Sequence, residues 1–180
     1  MRKLNMDELN RKSVDEFKEA SKFPVVVILE NIRSAYNVGS VFRTADAFLI
    51  ESIIITGYTA VPPHKEIKKT ALGAEESVDW KYFKTTAEAM EDLKQKGYKI
   101  FAVEQVDGSI SLENIDRDAF EKRAFIFGNE VSGVEQDIIP LCDGCVEIPQ
   151  FGMKHSLNIS VAAGIVLWEV VRNSITKTNN

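Results

Sequence analysis

The chain has 180 residues, 44% of them hydrophobic and 27% charged, with a formal net charge of −5 at pH 7. This is the profile of one ordinary globular domain with a substantial core. It argues against a general nucleic-acid coat, since binding a phosphate backbone needs positive charge at least locally. The longest apolar runs, VVVIL, IIIT and AAGIVLWEVV, fall short of the roughly 20 residues that span a bilayer. The charged start MRKLNMDELNRKSVDEFKEA has no signal-peptide core, so a cytoplasmic protein with no membrane partner is expected.

In chain order, the pattern predicts an amphipathic helix over 6–21, an apolar strand over 24–30 and a helix over 37–49. The strand SIIITG, 52–57, leads into a polar loop containing VPPHKE, then a short helix at 66–72 and a short strand at WKYF. A helix over 86–97 stops at Gly97, since glycine readily takes the left-handed conformation that ends helices. The strand 98–104 precedes the turn DGS, and the strand 124–127 runs into a glycine-bearing loop. A short helix at 135–140, a strand at 145–148, the loop PQFGMKH and a helix from Ser156 to about Asn173 complete the chain. Strands alternate with helices, and several strands are continuously apolar, which predicts an α/β fold with a mostly parallel sheet flanked by helices. Cys142 and Cys145 have C-x-x-C spacing but precede a strand rather than open a helix, so they read as structural. Two His and two Cys in the whole chain leave no basis for a zinc site, and no metal is expected.

Ligands of open α/β sheets bind beyond the carboxyl ends of the strands. Three polar loops stand there. The first, ENIRSAYNVGSVFRTADAF, places Asn31, Arg33, Asn37 and Arg43 at a strand-to-helix junction. Asn37 could simply cap the helix and Arg43 could pair with Asp46, but Asn31 and Arg33 exceed what capping needs, and Arg at a helix start suits an anion or a nucleic-acid backbone. The second, FGNEVSGVEQ, sets Glu130 between Gly128 and Gly133, where glycine lets a ligand approach the backbone. The third, IPQFGMKHSLNIS, offers Ser156, Asn158 and Ser160 where one cap would do. Ala162, Ala163 and Gly164 then allow another backbone to come close, in the core or at a subunit interface.

Together and in this order, NIRSAYNVGSVFRTADA, FGNEVSGV and IPQFGMKHSLNISVAAG resemble the three motifs of the SpoU/TrmH-type RNA ribose 2′-O-methyltransferases of the SPOUT superfamily. KKTALGAEESV and FAVEQ also look like stretches of that family. The resemblance implies a domain over 23–175 behind a helical extension at 1–22, with a C-terminal trefoil knot and a homodimer. It implies S-adenosyl-L-methionine as cofactor, held through Gly128, Ile148 and Leu157 with help from Glu104 and Gln105. It implies a catalytic set of Asn37, Arg43, Glu130, Ser156 and Asn158, in which the asparagines and Glu130 orient Arg43. The substrate would be RNA, with a D-loop guanosine of transfer RNA favoured and ribosomal RNA the alternative; a non-catalytic RNA-binding or assembly factor that keeps the pocket is the rival from another class. Arg33, His64, Lys65, Lys68, Lys69, Lys154 and His155 are the candidate RNA-binding patch, each of them alone more often a plain surface charge.

Overall fold

The computed structural model describes residues 1–5, 8, 12–116, 121–154 and 156–175. Strand β1 (Phe23–Glu30) forms because its run of β-branched and aliphatic residues suits a sheet buried on both faces. It lies at the centre, paired in parallel with β2 (Ile50–Thr56) on one side and β6 (Arg123–Phe127) on the other. With β3 (Asp79–Phe83), β4 (Lys99–Val103), the two-residue β5 (Ile110–Ser111) and β7 (Gly144–Glu147), the order is β3-β2-β1-β6-β4-β7-β5. Every pairing is parallel, so all seven strands end at the same edge.

The two-residue period of a strand sorts the side chains onto two faces. Val25, Val27, Leu29, Ile53, Ile55, Phe125 and Phe127 face a large core. It is shared with helices α1 (Val14–Glu19), α2 (Ala35–Ala47), α3 (Lys65–Ala71) and α4 (Ala74–Ser77), and with α6 (Ile159–Ile175). Val26, Ile28, Ile54, Ala124 and Ile126 face a smaller core under α5 (Thr86–Gln95). On α2 the stripe Ala35, Val38, Val41, Phe42 and Ala45 is buried at helical spacing. On α6 the buried stripe is Ala163, Val166, Leu167, Val170 and Val171, while Val161, Ile165 and Trp168 remain 37–50% exposed on the other side.

The strands placed by the sequence reading fall within two residues of it, the two-residue β5 having no counterpart there, and the helix ends depart further. The first helix begins only at Val14, because the Ser13 hydroxyl accepts from the Glu16 N–H and the Glu16 carboxylate accepts from the Ser13 N–H; residues 6, 7 and 9–11 of the expected helix lie outside the described residues. Helix α2 starts at Ala35, capped by Ser34, so Asn37 is inside the first turn rather than the cap. Helix α6 starts at Ile159, where Asn158 takes the capping place expected of Ser156. The helix expected at 135–140 is a 3₁₀ turn at Ile139–Leu141, shortened by Pro140, whose ring carries no N–H. The C-x-x-C thiols are free; Cys145 is buried, and burial pushes Cys142 up to about 11, away from thiolate chemistry.

Helix α3 crosses α2 at Gly39 with no room for a side chain: an added Cβ would lie 2.2 Å from the Thr70 hydroxyl oxygen and 2.3 Å from the Ile67 carbonyl oxygen. Because one of those atoms is backbone, the helices themselves must part. Gly39→Ala should destabilise the protein by about 1–3 kcal/mol, and thermal unfolding should show Tm lowered by roughly 2–4 °C per kcal/mol. An unchanged Tm would refute the close crossing.

Candidate functional site

At the common edge of the sheet, the connections after β1, β2, β4, β6 and β7 meet. Glu130 is their junction. Its Oε2 accepts from the Arg33 N–H at 2.9 Å, and its Oε1 accepts from the Ser34 N–H at 3.1 Å and the Asn37 side chain at 3.0 Å. The Asn37 Oδ1 in turn accepts from Asn158 Nδ2 at 3.1 Å, while the Asn158 Oδ1 accepts from the N–H and hydroxyl of Ser160. One chain of bonds thus joins all three loops singled out in the sequence. Since Ser34 rather than Asn37 caps α2, the Asn37 side chain is released for this work.

Desolvation pushes the Glu130 carboxyl upward, but hydrogen bonds from the Arg33 N–H, the Asn37 amide, its own N–H and the Ser34 N–H outweigh it and hold the group below the usual carboxylate range. The junction therefore carries its negative charge throughout the neutral range.

Behind the junction is a second set of bonds that the sequence reading missed. Asn31, with φ 52°, donates from Nδ2 to Glu135 Oε1 at 2.6 Å. Asn129 donates from Nδ2 to the Asn31 carbonyl at 2.8 Å and to the Tyr58 hydroxyl at 2.7 Å, and its Oδ1 accepts from the N–H groups of Val131 and Ser132. Glu30, a carboxylic acid ending an apolar strand, is wholly buried and accepts from the Glu135 N–H at 2.9 Å. Burial pushes its carboxyl upward, which favours the protonated form. Beyond Asn31, already singled out in the first loop, the sequence signals for these residues are an acid at the end of a buried strand and an Asn-Glu pair after another.

A cavity of about 280 Å³ opens beside the junction, between the connections after β4, β6 and β7. Glu104, Gln105, Gly128, Ile148 and Leu157, the residues expected to hold a cofactor, line it together with Glu130 and Ser156, and Glu147, Gln150 and Ala162 add to them. Phe127, Val146, Ile148 and Leu157 make an apolar wall, and Glu104, Glu130 and Glu147 bring carboxylates. That combination suits a ligand with a flat ring and a positive charge. Glu104 also serves the wall, accepting from the N–H groups of Val134 and Gln105.

Gly128 is needed for a different reason from the one its sequence suggests. An added Cβ would not fill the ligand space; it would lie 2.2 Å from the Gly133 carbonyl carbon and the Val134 nitrogen. The glycine lets two parts of one loop pack backbone to backbone, with Asn129 and Gly133 exchanging both of their N–H···O bonds.

Arg43 stands apart. It is exposed, has no hydrogen bond or ion pair among the described residues, and follows Asn37 by six residues, about 9 Å along the helix axis and on another face. The expectation that Asn37, Asn158 and Glu130 orient it is therefore corrected: their bonds go to one another and to the backbone. Nor does Arg43 pair with Asp46, which accepts instead from the Ser77 hydroxyl. Of the cationic patch, Arg33, His64, Lys65, Lys68, Lys69 and Lys154 are exposed, and His155 lies outside the described residues. His64 caps α3 through Nδ1, and the Lys69 ammonium sits 5.8 Å from the centre of the Tyr36 ring.

Residues 24–168 match the model of the SpoU rRNA Methylase family. The chain is 29% identical over 169 residues to the tRNA (guanosine(18)-2′-O)-methyltransferase of Thermus thermophilus, covering 93% of this chain and 84% of that one. It is 31% identical over 163 residues to the 23S rRNA (guanosine-2′-O-)-methyltransferase RlmB of Neisseria meningitidis, covering 91% of this chain but 64% of that one. Among solved structures, the TrmH/SpoU tRNA modifying enzyme of A. aeolicus superposes with a TM-score of 0.80 at 25% identity, over 92% of this chain and 82% of that one. The AdoMet-bound rRNA methyltransferase of Sinorhizobium meliloti gives 0.77 at 27% identity, over 91% of this chain and 61% of that one.

Two outcomes follow from the site's geometry. Gly128→Ala must push the Gly133–Val134 backbone into the cavity wall, so calorimetry should show affinity for S-adenosyl-L-methionine reduced at least about tenfold together with a lowered Tm; wild-type affinity would show that the wall does not shape the binding site. For Glu130, the depressed pKa means that its contribution is complete above the ordinary carboxylate value and is lost only as pH falls through the lower folded value. Stability measured against pH should thus be insensitive to Glu130 near neutrality, with an acid-side loss that Glu130→Gln diminishes; identical acid limbs in the two proteins would contradict the assignment.

Proposed function

This chain belongs to the SpoU rRNA methylase family and is an S-adenosyl-L-methionine-dependent RNA 2′-O-methyltransferase, and we propose that its substrate is transfer RNA, with a guanosine of the D-loop as the target. The observation that carries this reading is the Glu130–Asn37–Asn158 junction, which brings three distant loops together at the mouth of the cavity. The preference for transfer RNA rests on the Thermus relative, whose length this chain nearly spans. Ribosomal RNA is the second reading, favoured by the Neisseria relative.

Cavity chemistry fits the cofactor: the apolar wall suits adenine, and the carboxylates suit a cationic sulfonium and ammonium. When bound, S-adenosyl-L-methionine supplies a methyl group activated for transfer. Gly128, Ile148 and Leu157, with Glu104 and Gln105, hold it. Asn37, Asn158 and Ser156 orient the ribose, and Glu130 keeps the loops that carry them in register. Arg43 holds a phosphate beside the target hydroxyl, placing that hydroxyl and stabilising charge that develops on it. A guanidinium stays protonated in proteins, so Arg43 works as a fork of donors rather than as a base. Its freedom from any partner among the described residues agrees with a group reserved for the substrate. Arg33, Lys65, Lys68, Lys69 and Lys154 supply the local positive charge that a chain of net charge −5 needs to meet RNA, and His64 and His155 add hydrogen-bonding groups to the same patch.

The working form is a homodimer in this reading, supported by the exposed apolar stripe Val161, Ile165 and Trp168 on α6 and the open space beside Gly164. Residues 23–175 form the catalytic domain and 1–22 an extension, whose helix α1 is docked through the buried Phe17. A C-terminal knot belongs to the same reading, supported by a last strand that lies between β4 and β5 rather than at the sheet's margin. A cytoplasmic location accords with an RNA substrate, and no helix among the described residues is long and apolar enough to cross a membrane.

Incubation with methyl-labelled S-adenosyl-L-methionine and bulk transfer or ribosomal RNA, followed by nucleoside analysis, should place the label on a guanosine ribose of transfer RNA. Label only on ribosomal RNA would move the substrate to the second reading; label on a base, or on no RNA, would overturn the assignment. In the same assay Arg43→Ala should lose at least about a hundredfold in turnover, the scale seen for a lost charge-stabilising donor, while cofactor affinity and Tm stay at wild-type values. Arg43→Lys should not restore turnover, because lysine keeps the charge but lacks the planar fork.

A further inference from the structure

Tyr58 is the second residue of the connection after β2, and it is 65% exposed. Its backbone and hydroxyl are nonetheless fixed. The Tyr58 N–H donates to Asn31 Oδ1 at 3.3 Å, and its hydroxyl accepts from Asn129 Nδ2 at 2.7 Å. The residue before it, Gly57, takes φ 65° and accepts at its carbonyl from the Tyr82 hydroxyl at 2.9 Å. The residue after it, Thr59, is buried and bridges the Leu29 carbonyl and the Ile32 N–H. Ordering a side chain costs conformational freedom. A ring left in water recovers little of that through burial. This ring is held at its hydroxyl by Asn129 and through a backbone fixed on both sides, and it still presents most of its surface to solvent.

Its surroundings indicate what the surface meets. Asn129, which fixes the hydroxyl, is followed directly by Glu130 at the junction beside the cavity. The connection that carries Tyr58 continues to Lys65, and Lys68 and Lys69 follow on the same short helix, all three exposed. A fixed aromatic ring between a cationic row and a pocket is the combination by which proteins grip single-stranded RNA: cations follow the backbone while a base stacks on the ring. A ribose hydroxyl is reached most readily where nucleotides are unstacked, and there bases are free to lie on side chains.

Resting on the reading of this chain as an RNA methyltransferase, we propose that Tyr58 is a stacking platform for a base that flanks the methylated nucleotide. The hydroxyl's bond to Asn129 sets the ring's orientation in advance, so the RNA does not have to order it.

The test measures binding of unfractionated transfer RNA and of ribosomal RNA to the full chain from low to moderate salt, for wild type, Tyr58→Leu and Tyr58→Phe. Tyr58→Leu should weaken RNA binding about ten- to hundredfold, with the salt slope unchanged because no charge is removed. Tyr58→Phe keeps the ring and should stay within about threefold of wild type. Affinity for S-adenosyl-L-methionine should be the same in all three, and Tm should fall equally in the two variants, since both lose the hydroxyl's bond to Asn129. Wild-type RNA affinity in Tyr58→Leu would overturn the platform alone. Equal losses of RNA affinity in the two variants would also overturn it, because only the hydroxyl's bond to Asn129 would then matter. A loss in Tyr58→Leu accompanied by a changed molecular mass in light scattering would replace the base with a second copy of the chain as the ring's partner. Failure of the wild-type protein to bind either RNA would overturn the methyltransferase reading beneath the proposal.

Discussion

One carboxylate holds the working edge of this protein together. Glu130 accepts from two successive backbone N–H groups and an amide that lie 93–97 residues earlier in the chain. Hydrogen bonds to a charged acceptor are stronger than neutral ones, but this group is open to water, so its strength comes from the number and alignment of its donors rather than from a low dielectric. That alignment belongs to the sheet. The parallel register of β1 against β6 brings Leu29 level with Phe127, so the loops that follow the two strands begin at the same height. Move either strand by one residue, and the carboxylate no longer faces its donors.

The sheet was largely legible in the sequence, because runs such as VVVIL, IIIT and AFIF are too apolar and too branched to sit anywhere but in a strand buried on both faces. Helix starts were less so. Ser34 and Asn37 are both good caps, as are Ser156 and Asn158, and a linear pattern does not say which of two competent residues the backbone will choose. The choice mattered for the site: the unchosen Asn37 became part of the junction. The three polar loops could be read as a group because they carry more hydrogen-bonding side chains than caps or turns need. Their wiring could not, since the bonds from Asn158 to Asn37 and from Asn129 to Tyr58 span 121 and 71 positions. Glu104 illustrates the limit well: expected to touch a ligand, it also accepts from the Val134 N–H and so supports the wall that it lines.

Two kinds of polar group divide the site between them. Glu130, Asn37 and Asn158 have satisfied one another, and they are stiff because each bond restricts the next. Arg43, Arg33 and Lys65 extend into solvent from well-anchored helices and loops, keeping their side-chain freedom until something outside the chain orders them. A reaction between a small bound molecule and a large flexible polymer calls for both. The stiff set keeps the loops around the cavity in register, and the long free arms are the groups able to adapt to a partner of variable shape.

The place of β7 in the sheet bears on how the protein is made. β4 and the two-residue β5 are both translated before β7, yet β7 lies between them. β5 pairs with β7 alone, so the slot beside β4 stays open while the 32 residues between Ser111 and Gly144 are added, about 2–6 s at typical elongation rates. Through that interval β4 offers an unpaired edge of the kind that invites foreign strands. The same slot borders the cavity, so an incomplete chain has no pocket to load. β7 closes that edge, and the cavity is complete only once Gln150, Ser156, Leu157 and Ala162, which follow it in the chain, have taken their places.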